Sequence, residues 1–341
     1  VYDFSLGNPA APVPEEVKKS IYDILENRNA NFVHCYMPNA GYPEVREKVA
    51  ANLNKKYNSS FTKDDIIMTV GAAGGINCVL RCLLEQEDEV LCFAPFFGEY
   101  NSYVMNFGGN LKVVPADYET FQLNVEEADK YITERTKAVI INNPNNPTGA
   151  LMSREQLEEI VEIARGVGAY ILCDEVYRHL TQEDSWSESI ADLYEKGISV
   201  SSMSKVFSLA GLRMGWIATH DEAALCAFLS HRDYNLISCG MFDDAVASIA
   251  LRHSNAMLRR NQTIVRENLA ILDAWVAAHE HFYYTKPKAG TTALVYYDFD
   301  VPSYDFCKRM YRETGAFVTP GDCFELTEGL AALAAFGEML G

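Results

Sequence analysis

Lys205 stands at the end of the apolar run Ile198–Ser201, with Ser202 and Ser204 just before it and Arg213 eight positions after it. An amine beside two hydroxyls and a guanidinium reads as a nucleophilic lysine next to a phosphate site. Desolvation and nearby cations favour a neutral amine, the form that attacks an aldehyde. Taken alone, a lysine snorkelling from a strand terminus is the plainer reading.

Four other strand ends carry groups of the same kind. Asp174 leaves the run Tyr170–Cys173, with Tyr177 three residues on. A buried aspartate needs a cationic partner, and a protonated pyridine nitrogen is one. A helix N-cap is the bland alternative for it. After Ala138–Asn142 comes Asn143-Pro144-Asn145-Asn146-Pro147-Thr148-Gly149, a rigid turn that fixes the Asn146 amide. After Ile66–Val70 comes Gly71-Ala72-Ala73-Gly74-Gly75, small residues whose backbone N–H groups can reach a phosphate at a helix start. That stretch lacks the GK[ST] ending of a Walker loop and does not match G-x-G-x-x-G. After Glu89–Phe93 stands the aromatic pair Phe96-Phe97, which suits core packing or stacking on a flat ligand. Singly each signal favours the bland reading; their order at successive strand ends does not.

The elements that must position these groups follow from the pattern. Ile66–Val70, Glu89–Phe93, Ala138–Asn142, Tyr170–Cys173, Ile198–Ser201 and Met214–Thr219 are short apolar runs without alternation, as expected of strands covered on both faces. Amphipathic helices lie between them. The clearest is Arg154–Arg165, with Ser153 and Gln156 as a capping box and Leu157, Ile160, Val161 and Ala164 as its stripe. Strand, helix, strand predicts an α/β fold with a mainly parallel sheet, and ligands beyond the strands' carboxyl ends. From Met257 to His279 runs a long helix (Leu258, Ile264, Leu269, Leu272, Trp275, Val276). Strand-like Thr291–Tyr297, helix-like Ser303–Thr314 and strand-like Ala316–Thr319 follow it. These predict a second, smaller α+β unit.

Composition narrows the class. The 341 residues can bury a large core. A net charge of −18, from 29 basic and 47 acidic residues, argues against a nucleic-acid partner. No segment approaches the roughly 18 apolar residues of a membrane span, and Val1-Tyr2-Asp3-Phe4 has no signal-peptide character. The first residue is not Met, so the chain as given reads as trimmed. Nine cysteines, with no CxxC, fit reduced thiols in a cytoplasmic protein. Cys78 and Cys82 share a helix face without a histidine cluster, and no metal site is expected.

The motifs together resemble those of fold-type I pyridoxal-phosphate (PLP) enzymes, in particular the class I/II aminotransferase family. The stretches that carry the match are 36–43 (Tyr36-Met37-Pro38-Asn39-Ala40-Gly41-Tyr42-Pro43), 143–149, 174–177, and 202–205 with 211–215. The resemblance runs from Gly7 to Gly321. It implies a three-layer PLP-transferase large domain over 31–255, and a small domain made of 1–30 and 256–341. It implies that Lys205 holds the cofactor as a Schiff base and shuttles the substrate proton, and that Asp174 pairs with the pyridinium nitrogen. Tyr177 and Asn146 would bond the ring's phenolate oxygen, Phe97 would stack on the ring, and Gly71, Ala72, Ala73, Ser202, Ser204 and Arg213 would hold the phosphate. Tyr36 would reach the phosphate of the neighbouring subunit, which implies a homodimer with shared sites. Gly7, like Asn146, would meet substrate. The implied reaction moves an amino group from an L-amino acid to a 2-oxo acid in a ping-pong cycle.

One departure stands out. The family sets a carboxylate-binding arginine in a strand near its C-terminus, and here no arginine follows Arg312. Either a segment is omitted near Glu325–Leu326 or it is truly deleted; we favour omission, and an intact mass above 38.1 kDa is the test. The same cofactor residues also serve beta-lyases, racemases, decarboxylases and cyclases. Arg232-Asp233-Tyr234 and Gly290-Thr291-Thr292 resemble stretches of less-characterised members with diverse substrates, including a cyclase of modified arginine. A PLP-sensing regulator would need a basic DNA-binding extension, which is absent. The aromatics Phe96, Tyr100 and Tyr103 suit either a substrate entrance or the core.

Overall fold

The apolar runs pair with one another into one seven-stranded sheet. The computed structural model describes residues 2–5, 7–9, 11–27, 34–55, 59–117, 120–183, 185–324 and 326, and the backbone of 330–335. Strands are numbered along the chain: β1 Tyr2–Asp3, β2 Ile66–Val70, β3 Glu89–Phe93, β4 Asn110–Val114, β5 Thr136–Asn142, β6 Tyr170–Asp174, β7 Gly197–Ser202 and β8 Met214–Ala218. The second unit holds β9 Phe282–Tyr283, β10 Thr292–Tyr297, β11 Ala316–Phe317 and β12 Leu330–Ala335. The large sheet has the order β2-β8-β7-β6-β5-β3-β4. From β7 through β4 all neighbours are parallel. β8 runs antiparallel to both β7 and β2, so the sheet is mixed and mostly parallel.

Alternate residues of the central strands point into two separate cores. On one face Val90, Ile140, Leu172 and Val200 meet Ile76, Val79 and Leu80 of the helix Gly71–Leu83, and Phe228 of the helix Glu222–Asn235. On the other, Leu91, Val139, Ile141 and Ile171 meet Leu157, Ile160, Val161 and Ala164 of the helix Arg154–Val167. Helix, sheet and helix form three layers. The capping box of Ser153 and Gln156 is present, and Gly168 ends that helix in the left-handed conformation. Gly75 lets the helix Gly71–Leu83 lie close on the sheet, since an added Cβ would sit 2.9 Å from Val200 Cγ1.

The C-terminal elements include a three-stranded sheet, β12-β10-β9, flanked by the helices Ser254–Ala277 and Ser303–Thr314. β1 pairs in parallel with β11, Tyr2 opposite Ala316 and Asp3 opposite Phe317. That pairing ties the N-terminal segment to this unit and sets the course of the chain toward Gly7. Among the described residues no helix is long and apolar enough to cross a membrane.

Several details go beyond the sequence reading, which named none of β1, β4, β9 and β12 and left the direction of β8 open. β4 was not anticipated; it is an edge strand whose residues are exposed or half-buried apart from Val114, so it lacks a continuous apolar signature. β8 is antiparallel, because the connector 203–213 is shorter than the crossover of about a dozen residues that a parallel return requires. Trp275 leaves the long helix's buried stripe: it is 41% exposed and packs on His279 and Phe282 instead.

Candidate active site

The carboxyl ends of β2, β5, β6 and β7 surround one cavity of about 230 Å³. Ala72, Ala73, Phe97, Asn146, Asp174, Tyr177, Ser202, Ser204, Lys205 and Arg213, scattered over the sequence, all line it. Gly71 starts the helix that carries Ala72 and Ala73, and Gly7 lies against the Lys205 amine. Tyr36 is not part of it; within a single chain that side chain is 83% exposed.

Asp174 ends β6 and is buried. Its Oδ1 accepts from the Val176 N–H at 3.1 Å and its Oδ2 from the Tyr100 hydroxyl at 2.8 Å. Burial pushes its carboxyl up to about 6, against the pull of these two donors and the positive charge of Lys205. Behind it Glu175 faces Arg178 at 3.6 Å and accepts from Ser189 and the Ile190 N–H, so the second acid of the pair is engaged away from the cavity.

Asn142, at the end of β5, joins two of these loops. Its Nδ2 donates to the Asp174 carbonyl at 2.8 Å, and its Oδ1 accepts from the Asn146 N–H at 2.6 Å. The Asn146 side chain is thereby aimed at the cavity, where its Oδ1 is buried without a hydrogen-bond partner among the described residues. A buried amide left open costs about 1–3 kcal/mol unless a ligand fills it.

On the opposite wall Gly71 has a φ of +66°, and a Cβ there would strike Arg213 Nη2 at 2.7 Å. Arg213 is itself left-handed, with φ +53°, and its carbonyl accepts from the Gly71 N–H at 2.9 Å. The helix start, Arg213, Ser202 and Ser204 make a compact set of donors suited to a dianionic phosphate. The Lys205 amine donates to the Gly7 carbonyl and lies 6.0 Å from the Tyr177 ring centre.

The sequence reading gave several lining residues no role. Asn142, Ile76, Val176 and Ala210 also face the cavity. Val176 lies inside a motif that was read and Ala210 beside one, so proximity was the available signal. Of the three aromatics weighed at the entrance, Phe96 is core, Tyr103 lines the cavity, and Tyr100 lies beneath it against Asp174. Lys205 and Arg213 are the cations among the described lining residues. The chain after β11 returns to this rim, since a Cβ on Gly98 would sit 3.1 Å from the Cys323 carbonyl. Glu325 and 327–329, where the departure from the family pattern falls, lie outside the described residues.

Comparison with known proteins places the chain as a whole. The model of the family "Aminotransferase class I and II" matches residues 1–332. The chain belongs to that family. It is a PLP-dependent aminotransferase of fold type I. An aspartate aminotransferase of Pyrococcus abyssi is 31% identical over 338 residues, 95% of this chain and 84% of that protein. The crystal structure of an aromatic aminotransferase from Pyrococcus horikoshii superposes with a TM-score of 0.92 at 28% identity, covering 99% of this aminotransferase and 91% of that chain. A PLP-dependent aminotransferase from Streptococcus suis gives a TM-score of 0.88 at 34% identity, over 99% and 88% of the two chains.

The cavity of this aminotransferase fits the family's cofactor on its own chemistry: the open Asn146 amide, the small-residue helix start against Arg213, and the buried Asp174. Bound there, pyridoxal phosphate supplies an aldehyde for an amine and a ring that withdraws electrons.

Proposed function

We propose that this aminotransferase binds pyridoxal phosphate through Lys205 and moves the amino group of an L-amino acid to a 2-oxo acid in two half-reactions. The observation that carries the reading is the meeting of Lys205, Asp174, Asn146, Tyr177 and Arg213 around one cavity of about 230 Å³. Lys205 is the base that takes and returns the substrate proton. Asp174 keeps a proton on the ring nitrogen, Tyr177 and Asn146 bond the ring oxygen, and Phe97 packs on the ring. Gly71, Ala72 and Ala73, with Ser202, Ser204 and Arg213, hold the phosphate, while Gly7 and Asn146 border the substrate.

The large unit is taken as 31–255, and 1–30 with 256–341 as the small one. The functional form is a homodimer in the cytoplasm, with Tyr36 entering the partner's site; its exposure in the single chain supports this. The substrates are drawn from the dicarboxylic and aromatic amino acids, by the names of the relatives. The carboxylate-binding cation belongs to a segment omitted near Glu325–Leu326. Borohydride reduction followed by peptide mapping tests the attachment: a phosphopyridoxyl group on Lys205 supports the reading, and its absence from that peptide overturns it.

A further inference from the structure

Asp174 has one side-chain hydrogen-bond partner among the described residues, and it comes from a distant part of the sequence. The Tyr100 hydroxyl donates to Asp174 Oδ2 at 2.8 Å across 74 positions. Tyr100 is wholly buried, in the helix Glu99–Met105 beside β3. Phe97 meets its ring edge-on, with centroids 5.6 Å apart, and Phe96 lies parallel to it at 6.4 Å. The phenol therefore has one polar partner and a fixed ring.

We infer that Tyr100 is a positioning residue that holds Asp174 in place and keeps it an anionic acceptor for the ring nitrogen of the cofactor. The inference rests on the proposed cofactor site and deepens it. With Val176 N–H on Oδ1 and Tyr100 on Oδ2, the carboxylate can turn toward neither neighbour, and each oxygen retains a lone pair for a further donor. The groups bearing on it are Tyr100, Lys205 and Glu175; the Cys92 and Cys173 thiols lie close to Tyr100. Burial and the neighbouring carboxylate push the phenol well above its ordinary value, so it remains a neutral donor. Without that donor, desolvation of Asp174 goes unopposed on one oxygen, and a protonated Asp174 loses the negative charge that favours a proton on the ring nitrogen.

Two measurements on the full chain test this, with Tyr100→Phe and Tyr100→His. In the cofactor-free protein, the carboxyl of Asp174 is followed by carbon-13 NMR, its signal assigned by Asp174→Asn. The parent titrates near pH 6 and Tyr100→Phe at a higher pH. In the loaded protein with nitrogen-15 in the ring, the parent gives the resonance of a protonated ring nitrogen. Tyr100→Phe shifts it toward the unprotonated position and lowers kcat roughly 10- to 100-fold with KM little changed. Tyr100→His, which restores a donor, recovers both. An Asp174 midpoint unmoved by Tyr100→Phe overturns the inference, whether or not the cofactor reading stands. So does a ring that stays protonated with parental kcat. A parent that binds no cofactor removes the site reading and this role with it, while the cofactor-free titration still reports on the Tyr100–Asp174 bond alone.

Discussion

Gly7 and Lys205 touch: the lysine amine donates to the Gly7 carbonyl, and a Cβ added to Gly7 would lie 3.4 Å from Nζ and 3.8 Å from the Tyr177 hydroxyl. The N-terminal segment thus lies over the reactive amine, anchored nearby by the β1–β11 pairing. A single methyl fits at ordinary contact distance; a branched side chain does not. Gly7→Val is expected to lower kcat/KM about tenfold, close to 1.4 kcal/mol, while cofactor retention stays parental. Steady-state kinetics beside an absorbance measurement of bound cofactor check it. Parental kcat/KM would mean that the segment moves clear of substrate.

Gly71→Ala should act on the cofactor instead. The left-handed φ of +66° and the 2.7 Å approach to Arg213 Nη2 leave no place for a Cβ. The strain costs on the order of 1–2 kcal/mol of stability and displaces the guanidinium. The cofactor dissociation constant is expected to rise at least about tenfold. Equilibrium dialysis and thermal melts measure the two effects.

Asp244, in the helix Met241–Arg252, gives a pH signature outside the site. Burial pushes its carboxyl up to about 7, against a Tyr42 backbone N–H and the charges of Arg46 and Arg232. The folded chain therefore binds this proton more tightly than the unfolded chain, whose carboxyl has its ordinary value of 3.8. The stability it contributes is complete below that value and is lost as pH rises through about 7. Asp244→Asn should raise the melting temperature at pH 8 and leave it unchanged near pH 4. An equal change at both pH values would assign the effect to packing.

Tyr36 is the test of shared sites. At 83% exposure in the single chain, its truncation should cost little within one subunit. If it enters the partner's phosphate site, Tyr36→Ala weakens cofactor binding about tenfold, the worth of one hydrogen bond to a charged group. Sedimentation of the parent should give a dimer. A monomeric parent, or a Tyr36→Ala variant that holds the cofactor as tightly as the parent, would dismiss the arrangement.

Much of this was legible because parallel strands buried on both faces leave unbroken apolar runs, and the chemistry sits one or two residues past each run. Asp174 after Tyr170–Cys173 and Lys205 after Ile198–Ser201 were found in that way, and the cavity gathers both. β4 escaped because an edge strand needs no apolar run. Tyr100 was weighed as an entrance or core aromatic, and its bond to Asp174 escaped because the two meet across the sheet end, 74 positions apart. Asn142 was read as the last residue of a strand, and its side chain turned out to tie the Asp174 and Asn146 loops together.

The most direct test of the central claim is the visible spectrum of the cofactor-loaded protein as L-amino acids are added one at a time. The account predicts that a dicarboxylic or aromatic amino acid bleaches the pyridoxal band to that of the amine form, with one equivalent of 2-oxo acid released. A band that persists while ammonia, carbon dioxide or a cyclised product appears would contradict transamination. The absence of any band after incubation with pyridoxal phosphate would contradict the cofactor site itself.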